Sequence, residues 1–317
     1  MDKKTFALIV LGLGLRLFLI FPGPLESRVE FFTNKADLRN YYWPAQAAQS
    51  GANPYALWAS GASGEFRADM APLELAIYVA TVAVWNDPRA LQILFALCDA
   101  LNIFLLGVLL QQSRLRAPFQ IFYALGPLTV YNFVLVPQDK TILLSLSFLI
   151  FILLTRINGL RHTQSISANL PITRASYLEF AIILLAAILA AFKWLSVFYL
   201  LPLLLFISKD ARAFIKYAIL FGAIIALAHL PWFTTWSYVY EFRANRVGNP
   251  SHIAFAALLR EAGWFDSRLL IAGLAISLLI IYLFFLRRRL DIFETIALSA
   301  GAGILWTPDM DPVHLSI

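Results

Sequence analysis

Charge is what this sequence has least of. Only 14% of its 317 residues are Asp, Glu, Lys or Arg, against about 25% in an ordinary water-soluble chain. No polar block is long enough to form a soluble domain beside the apolar runs, so residues 1–317 read as one membrane domain. The single cysteine, Cys98, sits inside an apolar run, which excludes a disulfide framework and a thiolate metal site. His162, His229, His252 and His314 lack metal-ligand spacing, so no tightly bound metal is expected. There is no Walker loop, Gly-rich dinucleotide fingerprint or nucleophile elbow, which leaves a soluble ATP or nucleotide-sugar site unsupported. A net charge of +6 does not imply nucleic acid, because the basic residues stand at the ends of apolar runs, where they report topology.

What is present is hydrophobic: 60% of the residues. A spanning helix needs about 20 apolar residues. Candidate spans fall at 5–21, 90–111, 118–136, 141–155, 178–195, 197–208, 217–233, 268–286 and 292–306. The expected fold is therefore an all-α polytopic membrane protein with about nine transmembrane helices. The first run follows Met1-Asp2-Lys3-Lys4 like a signal peptide, but Phe21-Pro22-Gly23-Pro24 is a poor cleavage site and Arg16 interrupts the run. A retained signal-anchor helix is the better reading. One more apolar stretch, 71–85, decides the topology. If it lies in the interface, the inside collects Lys3, Lys4, Arg114, Arg116, Arg156, Arg161, Arg174, Lys209, Arg212, Lys216 and Arg287 to Arg289, more than half of the 25 basic residues. If it crossed, the clusters at 114–116 and 156–174 would face outward. The interfacial reading also suits Glu74 near its start.

This arrangement puts the N-terminus in the cytoplasm and two long loops outside, 22–89 and 234–267. Long structured loops tend to hold sites. In the first loop, Asp37, Tyr41 and Ala45–Ala48 are at helical spacing, so Asp37 opens or precedes a short helix along the membrane surface. Its carboxylate is either a general base kept ionised by the helix dipole or an ordinary cap. Gly51-Ala52-Asn53-Pro54-Tyr55 reads as a turn with Tyr55 as an interfacial ring. Glu65, Arg67 and Asp69 alternate before Pro72, one face toward a polar pocket or simply toward solvent.

Charges within apolar spans are expensive and need a reason. Lys193 either snorkels to the surface or meets a phosphate at the lipid boundary. Asp99 needs a partner, and Arg16 is the candidate, as a structural pair ahead of a catalytic one. In the second loop, Arg243 and Arg246 are three apart and can face one way, with the guanidinium fork that suits phosphate oxygens; membrane-surface charge is the plainer reading.

Taken together, Asp37-x-x-x-Tyr41-x-x-x-Ala45, Gly51-Ala52-Asn53-Pro54-Tyr55, Phe66-Arg67-x-Asp69-x-Ala71-Pro72-Leu73 and Leu94-Phe95-x-x-x-Asp99-x-x-Asn102 resemble the GT-C glycosyltransferase superfamily. They are most similar to its polyprenyl-phosphate-mannose-dependent mannosyltransferases. Weaker echoes are Ala191-Phe192-Lys193 with Tyr199-x-x-Pro202, and Arg243-x-x-Arg246-x-x-Asn249-Pro250-Ser251. The resemblance implies interfacial helices in the first outer loop and an inverting transfer of a sugar, mannose in the closest likeness. The donor would be a polyprenyl-phosphate sugar, and the acceptor a lipid-linked or cell-envelope glycan. It assigns Asp37 as base and Lys193, Arg243 and Arg246 to the donor phosphate. Tyr41, Tyr55, Arg67, Asp69, Asn249 and Ser251 become substrate-pocket candidates. No cofactor is implied, and a monophosphate donor gives little reason for a divalent cation. Lys35-Ala36-Asp37 departs from the acid-x-acid motif of the enzymes that start glycosylphosphatidylinositol. Family members also usually continue through more helices, so an end at Ile317 is that of a truncated or unusually short chain.

Two rivals stand beside the enzyme: a non-catalytic GT-C-like scaffold subunit of a glycosylation or transamidase complex, and a transporter. The transporter should show paired repeats and midplane helix breaks, and only Gly126-Pro127 and Pro202 come close. Compact loops without a glycosylation acceptor favour a prokaryotic plasma membrane, with the site facing outward.

Overall fold

A computed structural model of the chain describes residues 2–23, 36–64, 66–130, 139–164, 172–193, 195–232, 234–235, 238, 255–264 and 266–306. Helix is the only regular secondary structure among these residues, with no strand. Among the described residues, five helices are long and apolar enough to cross a membrane: Pro88–Leu109, Lys140–Leu160, Ser176–Lys193, Ala211–Trp232 and Arg268–Leu286. Only 17% of the apolar window of Ala211–Trp232 is buried, and 6% of that of Arg268–Leu286. Ile271, Ile276 and Leu279 stand exposed along the latter. Apolar surface on that scale is incompatible with water and natural against lipid. The backbone requirement points the same way, since in lipid each helix must satisfy its own N–H and C=O groups.

The chain forms two compact units, residues 1–158 and 159–315. In the first, α1 (Lys3–Ile20) starts at Asp2, whose carboxylate accepts from the Thr5 amide at 2.8 Å. The helix is apolar nearly all round, and its buried positions Thr5, Gly12, Arg16 and Ile20 form one stripe at helical spacing. That stripe packs on α5 (Pro88–Leu109) and α6 (Arg116–Leu125). Two glycines permit the approach. A Cβ on Gly12 would stand 2.8 Å from the Ile103 side chain, and one on Gly107 would stand 2.3 Å from Gln120 Nε2.

Between α1 and α5 the described residues form three short helices: α2 (Ala36–Gln49), α3 (Pro54–Ala59) and α4 (Pro72–Val84). Gly51 takes φ +86°, which an L side chain resists. Asn53 then caps α3, accepting from the Tyr55 and Ala56 amides at 3.1 Å, with Pro54 preset at the first position. At thirteen residues, α4 is shorter than a spanning helix. A single turn, α7 (Pro127–Val130), follows α6, and α8 (Lys140–Gln164) completes the unit. The continuous helix expected over 118–136 is therefore interrupted. Gly126 leaves the helical region at ψ 135° and Pro127 starts a new turn. Residues 131–138 lie outside the described set.

Arg16 and Asp99 are both fully buried and paired at 2.7 Å, as their positions in apolar runs demanded. Arg16 Nη1 also donates to the Ala124 carbonyl at 2.8 Å, and Nη2 to the Tyr123 carbonyl at 3.4 Å. These carbonyls belong to the last turn of α6, which Gly126 cuts off from helical donors, so the guanidinium caps that helix. On the other side, Tyr123 donates to Asp99 Oδ1 at 2.6 Å, and Asn102 Nδ2 donates to the Tyr123 oxygen at 3.0 Å and to the Thr141 carbonyl at 2.8 Å. Ser145 donates to Asn102 Oδ1 at 2.8 Å. The network joins α1, α5, α6 and α8 through groups that each find a partner.

The second unit holds α9 (Ile172–Lys193), a 3-10 segment (Leu195–Tyr199), α10 (Leu200–Ile207), α11 (Ala211–His229), α12 (Phe255–Glu261), α13 (Ser267–Leu286) and α14 (Ile292–Leu305). The run expected as a span over 197–208 thus begins as 3-10 helix, and α10 alone has eight residues. Tyr217 of α11 donates to the Glu179 carboxylate of α9 at 2.9 Å. Asp210 caps α11, and Asp291 and Glu294 form a reciprocal capping box on α14. Arg287, Arg288 and Arg289 end α13, with Arg288 in the left-handed region at φ 54°. Basic residues there also complement the helix dipole.

Candidate active site

The residues singled out in the first loop converge around α2. Asp37 is its second residue, where the dipole favours an anion; its side chain lies outside the described set. Tyr41, one turn on, turns its ring inward. Its centroid lies 5.2 Å from that of Tyr78 and 6.1 Å from that of Phe95, and Tyr78 and Phe95 are themselves 6.1 Å apart at 77°. Edge and tilted contacts of this kind suit aromatic quadrupoles. The cluster ties α2 to α4 and α5.

Under the rings the chain buries acids. Tyr78 donates to Glu74 Oε1 at 3.0 Å, a bond one helical turn long within α4. Glu74 occupies the first turn, where the dipole steadies its charge. Asp139 and Lys140, at the start of α8, are also buried, and the Asp139 charge acts on the Tyr78 phenol. Sequence reading passed over Asp139 and Lys140, because a charged pair just before an apolar run looks like an ordinary helix end. Gln92 was missed as well. It is buried on the same face of α5 as Asp99, and neither amide atom has a partner among the described residues.

Residues 66–71 run as an extended strap from α3 to α4. The Arg67 amide donates to Asn40 Oδ1 of α2 at 3.1 Å, with the Arg67 side chain exposed. Arg67 is exposed and Asp69 half-buried while Ala68 and Met70 are buried, so burial alternates along 67–70; Glu65 lies outside the described residues. Tyr55 is not the interfacial ring expected. It is 0% exposed, and its hydroxyl donates to the Met70 carbonyl at 3.1 Å, pinning α3 to the strap. Burial first, then the charges of Glu74 and Asp69, push its phenol up, so it serves as a neutral donor.

Lys193 belongs to the second unit, where it is half-buried as the last residue of α9 and complements that helix's dipole. Arg243, Arg246, Asn249 and Ser251 lie outside the described residues. Among the described residues no group of three His, Cys, Asp or Glu side chains is placed to hold a metal ion.

Asp37 thus stands on the first turn of α2, with Tyr41 one turn on in contact with Tyr78 and Phe95, and with Glu74 bonded to Tyr78. A carboxylate can accept a proton from a hydroxyl group. Compared with family profiles, curated proteins and solved structures, the chain shows no match.

Proposed function

We propose that this chain is an integral membrane glycosyltransferase of the GT-C type, moving a sugar from a polyprenyl-phosphate donor to a lipid-linked or cell-envelope acceptor. The sugar is mannose on the strength of the resemblance. In this reading about nine segments cross a prokaryotic plasma membrane, with the shorter apolar helices among them. The N-terminus is cytoplasmic, and α2 and α4 lie along the outer face.

The observation that carries the reading is the construction around Asp37. A carboxylate at a helix start is common, but here the next turn, Tyr41, is locked into an aromatic cluster backed by Glu74 and Asp139. A mere cap needs no such support, whereas a base needs its backbone held still. In the reaction, the acceptor hydroxyl oxygen attacks the anomeric carbon and its proton passes to Asp37. The bond from that carbon to the phosphate oxygen breaks, and its electron pair leaves on the polyprenyl phosphate. Direct displacement inverts the carbon. Lys193, Arg243 and Arg246 are the proposed cations for the developing phosphate charge. Phosphate leaves without protonation, so one base suffices.

The test is transfer from polyprenyl-phosphate-mannose in membranes holding wild type or Asp37→Asn at matched protein levels. Loss of a general base lowers turnover by about 100-fold or more. Equal transfer by both proteins would remove Asp37 as the base. No transfer by either, across several polyprenyl-phosphate sugars and acceptors, would favour the scaffold reading.

A further inference from the structure

Helix α2 has a second face that the proposed chemistry does not use. Trp43, Gln46, Ala47 and Ser50 follow helical spacing on its outer side, and with Gln49 they form one wall of a shallow groove. Phe66 from the strap and Asn86 from the α4–α5 turn form the other. Trp43 is 46% exposed, held edge-on to Tyr42 at a centroid distance of 5.4 Å. Tyr42 donates to Asn86 Oδ1 at 2.9 Å, and Gln46 Nε2 donates to the Tyr42 oxygen at 3.2 Å. This network fixes both amides, while Gln46 Oε1 and Asn86 Nδ2 make no hydrogen bond to the described residues.

The lining is selective in what it omits. Among the described residues that line it there is no charged side chain, so these have nothing to offer a phosphate or a carboxylate. It is too rich in amides for an acyl chain, whose entry would strand them unpaired. Two aromatic faces beside neutral groups that both donate and accept match a ligand with hydroxyls on its edges and C–H groups on its faces. That ligand is a neutral saccharide. Trp43 follows Asp37 by six residues, about 9 Å of helix rise. A glycan lying in the groove would extend along the helix that carries the proposed base.

We propose that the Trp43–Asn86 groove binds the neutral glycan of the acceptor. This rests on the glycosyltransferase reading for the word acceptor, but not for the binding itself. The experiment uses the full chain in detergent and three lipid-free probes, a mannotriose, a maltotriose and a cellotriose, with binding followed by saturation-transfer NMR and titration calorimetry. At least one triose is expected to bind wild type and Asp37→Asn alike. Trp43→Ala should weaken that triose by about tenfold, a change of 1.4 kcal/mol. Trp43→Phe, which keeps a ring, should recover most of the affinity. Trp43 is exposed, so its loss leaves folding intact, which a thermal melt checks.

Failure of all three trioses to bind at millimolar concentration would overturn the proposal, as would unchanged binding by Trp43→Ala. Quenching of Trp43 by lipids brominated on their acyl chains, read as the difference from Trp43→Phe, would also overturn it by making the ring a bilayer anchor. The two proposals fail separately. Triose binding without any sugar transfer would sink the enzyme and keep the groove. Transfer with an acceptor KM unmoved by Trp43→Ala would sink the groove and keep the enzyme.

Discussion

Replacing Arg16 by methionine keeps much of the side chain's length and removes its charge and donors. Asp99 would then retain one hydrogen-bond donor, the Tyr123 hydroxyl, while fully buried. Removing one partner of a buried pair costs about 3–5 kcal/mol, because the other charge is left uncompensated. Asp99→Asn is milder. The amide oxygen can still accept from Arg16 or Tyr123, and the guanidinium keeps the Gly12, Tyr123 and Ala124 carbonyls. About 1–3 kcal/mol is expected, the range for a buried group that loses a charge-assisted bond. The double variant Arg16→Met/Asp99→Leu removes both charges and should recover part of the larger loss. Recovery stops short of wild type, because the Ala124 carbonyl loses the Arg16 donor and the Tyr123 hydroxyl loses Asp99 as its acceptor. Reversible unfolding of purified protein in mixed detergent micelles measures all four corners of the cycle. Membrane hydrogen bonds average about 0.6 kcal/mol in such cycles. Both single variants falling within that of wild type would refute the account of the pair as a structural pin. Asp99→Asn with wild-type stability and no sugar transfer would make Asp99 a chemical group instead.

Further outcomes follow from the same contacts. Tyr78→Phe removes the hydroxyl that meets Glu74 while keeping the ring, and should cost about 1 kcal/mol by the same unfolding assay. Gly107→Ala must displace Gln120 from the Ile103 carbonyl, to which it donates at 2.8 Å, and overpacking of this kind costs about 1–3 kcal/mol. At the N-terminus, the Thr5 amide, helped by the Thr5 hydroxyl and Arg116, lowers the Asp2 carboxyl from 3.8 to about 2 against some desolvation. A depressed acid stabilises above its unfolded value. The Asp2 contribution is therefore complete above 3.8 and fades as pH falls toward about 2. Thermal melts of wild type and Asp2→Ala should converge across that window, and a constant gap would show that the cap works without its charge.

Much of this protein was legible before any coordinates. Scarcity of charge named lipid as the solvent, because water would not tolerate the surfaces that α11 and α13 expose. The cost of an ion in that solvent predicted that Asp99 and Arg16 would meet. Local chemistry did the rest: Asn53-Pro54 starts α3, and helical spacing after Asp37 predicts α2. Only tertiary structure decided which faces look inward. A lipid-facing residue is as apolar as a core residue, so a helix such as α1 carries almost no amphipathic signal. Hence the sequence could not tell that Tyr55 is sealed under the strap, that Gly126 breaks α6 where Arg16 can cap it, or that Asp139 and Lys140 are buried. Nor could it separate the two faces of α2, one closing an aromatic cluster with Tyr41 and the other opening a groove with Trp43. Those assignments come from contacts between distant segments, which set the burial that hydropathy alone leaves open.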